Sequence, residues 1–262
     1  MTSIKLGELC HYLEEIAPLS LQESYDNSGL IIGHPDWIVR SVLISLDATE
    51  EIIDEAIRIG CNVVISHHPI IFKGLKNITG QHYVDRAIIK AIKHDIALYA
   101  IHTNLDNILQ NGVNQKIASR LGLLNLEILA PKSTDTGAGI IGLLAHPLSL
   151  SEFIPIIKSS LDVTMIRHTR DTHKLIRKVS ICGGSGAFLI ANAIQAQADA
   201  YITADVKYHE FFEANNQLVI IDIGHYESEQ HTVELLFELI SKKYSNFAAH
   251  CAKTNTNPVQ YI

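Results

Sequence analysis

Two stretches of this chain repeat one another, and that repeat restricts the possible folds more than any other feature. Laying Val42 on Val179 without a gap places Val42-Leu43-Ile44-Ser45 on Val179-Ser180-Ile181-Cys182. The same alignment places Val63-Val64-Ile65-Ser66 on Ala200-Tyr201-Ile202-Thr203, and Ala56-Ile57 on Ala193-Ile194. Each copy reads strand, loop, helix, strand, a βαβ-sized unit, so the pattern predicts an α/β protein of two similar lobes. We place the first lobe at residues 1–130, completed by residues 230–262, and the second at 131–229. The boundary follows the polar, glycine-containing passage over residues 131–139.

The ends of the apolar runs carry the chemistry. The run Asn62-Val63-Val64-Ile65-Ser66 ends in His67-His68-Pro69. A second, Ile96 to Ile101, leads into His102-Thr103-Asn104-Leu105-Asp106. A third, Leu218 to Ile223, leads through Gly224 into His225-Tyr226-Glu227-Ser228-Glu229. If these buried-strand candidates are parallel, their carboxyl ends open on one side of a sheet, where open α/β folds place their sites. Successive side chains on an extended segment point to opposite sides, so His67 and His68 are expected to serve different ions of a close pair. His225 and Glu229, four apart at the start of a predicted helix, face one point. Histidine with carboxylate is an ordinary ligand set for zinc, iron or manganese. We therefore expect two divalent metal ions per chain, held by His67, His68, Asp106, His225 and Glu229. Three roles stay open for His102: orienting Asp106, transferring a proton, or filling a core position.

Several segments together carry a family resemblance. Asp26-Asn27-Ser28-Gly29-Leu30, Ser66-His67-His68-Pro69-Ile70-Ile71-Phe72-Lys73-Gly74-Leu75, His102 to Asp106, and Gly224 to Glu229 resemble the Nif-three-like dinuclear metal centre family, whose members carry the name GTP cyclohydrolase 1 type 2. Gly183-Gly184-Ser185-Gly186 and Tyr201 to His209 agree as well, and the match runs over nearly the whole chain. Tyr25 stands where the family usually has Trp, and Ala204 where it usually has Gly. The resemblance implies a two-lobed α/β fold, a two-metal site in the cleft between lobes, a ring-shaped homohexamer, and hydrolytic opening of the purine ring of GTP. Longer members carry an extra domain in the middle, which this chain lacks.

Beside the repeat, His67 and His68 meet Ala204 and Asp205, so the second copy keeps a polar strand end without the histidine pair. Asp205, Lys207 or His209 is a candidate for the opposite wall, with a surface ion pair as the competing reading. His102 or His209 is the proton-transfer candidate. The turn Gly183 to Gly186 offers either a phosphate cradle or, with more weight, a tight strand-to-helix turn. Lys73 and Lys76 are placed to neutralise phosphates, or are simply solvated.

Composition narrows the partners. A formal charge of -7 argues against a sequence-independent grip on nucleic acid, which needs a basic face. Cys10, Cys61, Cys182 and Cys251 form no C-x-x-C pair, so neither a disulfide framework nor a cysteine zinc site is suggested, and a reducing cytoplasm is the simplest setting. Ile4, Leu6, Leu9, Leu13 and Ile16 alternate with polar residues in helical spacing, which predicts an amphipathic helix rather than a targeting signal. No apolar stretch approaches the about 20 residues that span a bilayer. The expected partner is a small-molecule substrate, nucleotide or other phosphoester, attacked by a water between two metals about 3.5–4 Å apart. The alternative is a metal-holding or protein-interaction ring whose ions are structural, a distinction set by open coordination positions.

Overall fold

The structure is a computed structural model and describes residues 3–244 and 248–262. It divides into two compact units, Met1–Leu105 with Thr232–Pro258, and Asp106–His231 with Val259–Ile262.

In the first unit, β1 (Ile4–Lys5) leads into α1 (Leu6–Ile16), which buries Leu6, Leu9, Cys10 and Leu13 along the stripe expected from the sequence. Next come β2 (Gly29–Ile32), β3 (Ile38–Val39) and β4 (Ser41–Ser45). Then follow α2 (Glu50–Ile59), β5 (Val63–Ser66), α3 (Tyr83–Lys93), β6 (Ala97–Ala100) and the short α4 (Thr103–Asp106), whose last residue belongs to the second unit. α2 starts where Thr49 accepts a hydrogen bond from the Ile52 N–H, and it stops at Gly60 in the left-handed region, φ 80°. Its buried Ile52, Ile53 and Ala56 pack with Leu43, Val64 and Leu98 from the strands and Ala87 and Ala91 from α3.

The second unit continues with α5 (Val113–Arg120), β7 (Leu124–Pro131), β8 (Gly137–Leu148) and α6 (Leu150–Leu161). It is completed by β9 (Arg167–His168), β10 (Ile176–Ser185), α7 (Ile190–Gln195), β11 (Ala200–Ala204), β12 (Val219–Asp222) and α8 (His225–Glu229). The chain then returns to the first unit with α9 (Thr232–Lys243) and β13 (Ala248–Cys251). The pattern of residues 247–251 predicts a strand; β13 supplies it from Ala248, and Phe247 lies outside the described residues.

Each unit has its own sheet. The first is ordered β13-β4-β5-β6-β2, the second β7-β8-β10-β11-β12-β9. β4, β5 and β6 are parallel, with Val42 beside Val63 and Val63 beside Ala97; all three are buried along their whole length. β10, β11 and β12 are likewise parallel, with Val179 beside Ala200 and Ala200 beside Val219. Under the sequence repeat, the pair Val42–Val63 corresponds to the pair Val179–Ala200.

The expected lobe boundary needs correction. Residues 131–139 are not a linker: Ala130 pairs Ala138 and Pro131 pairs Gly137, so the segment is the tip of the β7–β8 hairpin. The same polar, glycine-bearing composition that ends a domain also turns a hairpin. The division falls instead inside the helical turn Thr103–Asp106, where buried Thr103, Asn104 and Leu105 carry no linker signal. Among the described residues no helix is long and apolar enough to cross a membrane.

Candidate metal centre

The first unit gathers three histidines at the carboxyl ends of β5 and β6. β5 stops at Ser66, whose hydroxyl donates to the His68 carbonyl at 2.7 Å and bends the chain out of its extended course. His67 and His68 follow directly. Their rings sit 5.0 Å apart, and each lies within 5.3 Å of the His102 ring. One ligating nitrogen from each of the three lies within 4.8 Å of the others.

The other nitrogen of each ring is already engaged. His67 Nδ1 faces the Ile101 carbonyl at 2.8 Å, His68 Nδ1 faces Asp47 Oδ1 at 2.8 Å, and His102 Nδ1 faces Asp26 Oδ1 at 2.8 Å. Carbonyl and carboxylate oxygens only accept, so each Nδ1 carries the proton and donates it. Each ring is thereby fixed in one tautomer and orientation, the arrangement by which outer partners hold a metal-binding histidine.

Asp26 shows how firmly one of these rings is held. Its side chain is fully buried. It also accepts from the Asn27 N–H at 2.7 Å, the Ser28 hydroxyl at 3.1 Å, the Thr103 N–H at 3.0 Å and the Thr103 hydroxyl. Burial alone would raise its pKa, but the bonds from His102 and Thr103 outweigh that and hold the carboxyl well below the ordinary range. His102 is thus oriented by Asp26 and converges with His67 and His68, which makes it a further ligand candidate beyond the three roles left open for it.

The second unit gathers carboxylates. A ligating oxygen of Asp106 lies within 4.8 Å of one from Glu229, and His225 Nε2 lies 3.1 Å from Glu229 Oε2 across one turn of α8. His225 Nδ1 donates to Asp205 Oδ2 at 2.7 Å, and Ser185 Oγ donates to the same oxygen at 2.5 Å. Burial pushes Asp205 up, but those two donors outweigh it and its pKa is lowered. With Nδ1 protonated, a neutral His225 turns a lone pair toward a carboxylate oxygen. Such a contact is favourable only with a cation between or upon the two, a proton or a metal ion. Beneath the carboxylates, burial first, and then the charges of Asp106 and Glu229, push the Cys182 thiol up to about 12, so it stays neutral.

The glycine turn makes room for this group. Gly184 has φ +63°, and a Cβ there would lie 2.3 Å from Glu229 Oε1. The Gly183 N–H is taken by Asn114 Oδ1 at 2.9 Å, that of Gly184 by Ser228 Oγ at 2.9 Å, and that of Gly186 by Thr203 Oγ1 at 3.0 Å. These amides already have protein partners, so the turn is structural and the phosphate-cradle reading is set aside. Gly224, φ +91°, opens α8 and is bounded in the same way by Glu227 and Tyr261.

Among the other sequence candidates, Asp205 is placed as the partner of His225. His209 is exposed, its ring 5.2 Å from Tyr208 and 6.3 Å from Phe212, and among the described residues it belongs to no histidine and carboxylate group of this kind. Lys73 and Lys76 are exposed. Sequence reasoning missed Asp26 and Asp47 as orienting partners. Asp47 closes the run Val42 to Leu46, so the same strand-end rule that found the histidines would have found it; Asp26 sits in a loop and carried no such mark.

The donor chemistry fits one or more divalent ions, with imidazole nitrogens and carboxylate oxygens and no available thiolate. Known proteins place the chain in a family. A family model described as Duf34/NIF3 (NGG1p interacting factor 3) matches residues 4–258. A protein of Clostridium perfringens named GTP cyclohydrolase 1 type 2 homolog is 34% identical over 264 residues, covering 99% of this chain and 100% of its own. The crystal structure of a Staphylococcus aureus hypothetical protein superposes with a TM-score of 0.92 at 32% identity, over 100% of both chains. A Bacillus cereus protein related to NIF3 gives 0.92 at 28%, again over 100% of both. The chain belongs to the Duf34/NIF3 family.

Proposed function

We propose that this protein is a dinuclear-metal-dependent hydrolase acting on a nucleotide or related phosphoester. The observation that carries the reading is the convergence of three histidines, each with Nδ1 bonded to an acceptor and each offering a ligating nitrogen within 4.8 Å of the others. His67, His68, Asp106, His225 and Glu229 hold two divalent ions, zinc, iron or manganese, and His102 joins them. The relatives' name, GTP cyclohydrolase 1 type 2 homolog, supports GTP as the first substrate to try.

A bound metal pair supplies a lowered pKa for water and a Lewis acid for the oxygen that gains charge. The chain's own residues do the rest. Asp47, Asp26 and Asp205 hold His68, His102 and His225 in one tautomer and orient their rings. Asp106 and Glu229 would bring negative charge that matches the ions. Exposed Lys73 and Lys76, in the loop after the histidine pair, are available to a phosphate.

The test is elemental analysis of chain purified without chelator or an affinity tag, followed by a hydrolysis screen beginning with GTP and phosphoesters. About two ions per chain with turnover supports the reading. One ion resistant to chelator, or none, overturns the hydrolase assignment in favour of a structural or interaction role. The homohexameric ring is part of the same proposal, and light scattering of the purified chain decides it.

A further inference from the structure

From the course of the carboxyl-terminal tail we infer that Thr256 is a positioning residue for His68, acting through Asp47. The inference rests on the reading of His68 as a metal ligand. β13 runs parallel to β4, with Cys251 beside Ile44, and the Ala252 N–H continues the pairing to the Ile44 carbonyl at 2.8 Å. The tail is then pinned to α2. The Lys253 N–H and the Thr254 N–H both donate to Glu55, at 3.0 Å each, and the Glu55 side chain is 4% exposed. This carries the chain past the carboxyl end of β4, where Asp47 stands. There the Thr256 hydroxyl donates to Asp47 Oδ2 while the other carboxylate oxygen receives His68 Nδ1–H at 2.8 Å.

A carboxylate held at one oxygen only can rotate about its side-chain bond and carry its partner with it. Bonded at both oxygens, Asp47 presents a fixed acceptor, so the imidazole keeps one ring plane and its Nε2 keeps one direction. Thr256 is a residue from the far end of the sequence that completes this arrangement, and β13 with Glu55 is what delivers it. Its role differs from that of Glu55, which binds tail backbone.

The measurement is the affinity of the full chain for zinc, added alone and read by competition with a chromogenic chelator, together with thermal unfolding of the metal-free protein. Thr256→Val keeps the shape and removes the hydroxyl; it is expected to weaken zinc at one site by roughly threefold to tenfold, below the 10–100-fold typical of losing a direct partner. Thr256→Ser should restore wild-type affinity, which a purely packing role would not predict. Asp47→Asn is the reference and should weaken zinc more. If Thr256→Val binds zinc as the wild type does while Asp47→Asn weakens it, or if Ser fails to rescue, the inference is overturned and the metal reading stands. If Asp47→Asn changes nothing, the assignment of His68 fails and takes the inference with it. Should Thr256→Val not fold, Thr256→Ala gives the same readout.

Discussion

The two units share a frame and differ at its ends. In the first, β4 and β5 pair Val42 with Val63; in the second, β10 and β11 pair Val179 with Ala200, the same residues under the sequence repeat. The Ile101 N–H bonds the Ser66 carbonyl at 3.0 Å, and the Ile223 N–H bonds the Thr203 carbonyl at 3.0 Å, so the correspondence extends to the third strand. Beyond the strands the roles exchange. His68 of the first unit corresponds to Asp205 of the second, and each is half of a histidine–carboxylate pair: His68 leans on Asp47, Asp205 supports His225. Asp47 in turn corresponds to Gly184, whose missing side chain leaves the space Glu229 fills. Buried strands tolerate few substitutions because their packing is close, whereas residues just past a strand end answer only to local geometry. Two units with matching strand pairs can therefore hold a nitrogen-rich group in one and an oxygen-rich group in the other.

If that comparison is right, the largest effects come from the ligands. His67→Ala in the first unit and Glu229→Ala in the second should each lose at least one ion per chain while far-ultraviolet circular dichroism stays unchanged, since both side chains lie past the strands. Full metal content in either variant breaks the proposed division of labour. Gly184→Ala comes next: a methyl pressed on Glu229 at a positive φ should cost about 2–5 kcal/mol in urea unfolding and reduce metal content. The corresponding Asp47→Gly should reduce metal affinity with a smaller loss of stability, because it adds no clash.

Glu55→Gln sharpens the comparison on the structural side. Burial works against the Glu55 charge, but the Lys253 and Thr254 amides outweigh it and lower its pKa. A lowered carboxylate pKa means stability present above the ordinary unfolded value and lost as pH falls through the folded one. The wild type should thus lose about 1–3 kcal/mol of its advantage over Glu55→Gln on acidification through the carboxylate range, as seen in denaturant midpoints at several pH values. The smallest effect is expected for His209→Ala, which should leave metal content unchanged; a lower turnover alone would restore its proton-transfer role.

Much of this could be read without coordinates. The three apolar runs became β5, β6 and β12 because a strand buried on both faces must be apolar throughout. His225 and Glu229 met because one helical turn brings residues four apart together. Other points were not legible. The passage over residues 131–139 is turn chemistry, which is the same in a linker and a hairpin, and the division between units falls in a helical turn with no compositional mark. The Ser66 hydroxyl bonds the His68 carbonyl just past the strand, a side-chain contact that a strict two-residue alternation does not contain.

The sequence by itself determined the α/β class, the repeated strand pairs and the residues that end them, because period, apolarity and spacing are properties of a linear chain. Only the tertiary structure decided which nitrogen of each histidine donates to an acceptor, that Asp26, Asp47 and Asp205 are the acceptors for His102, His68 and His225, and that Thr256 lies against Asp47. Those contacts join residues as far apart as Asp47 and Thr256, and no local rule of spacing connects them. They exist because parallel pairing of β13 with β4 and the close packing of each core bring distant strand ends into register.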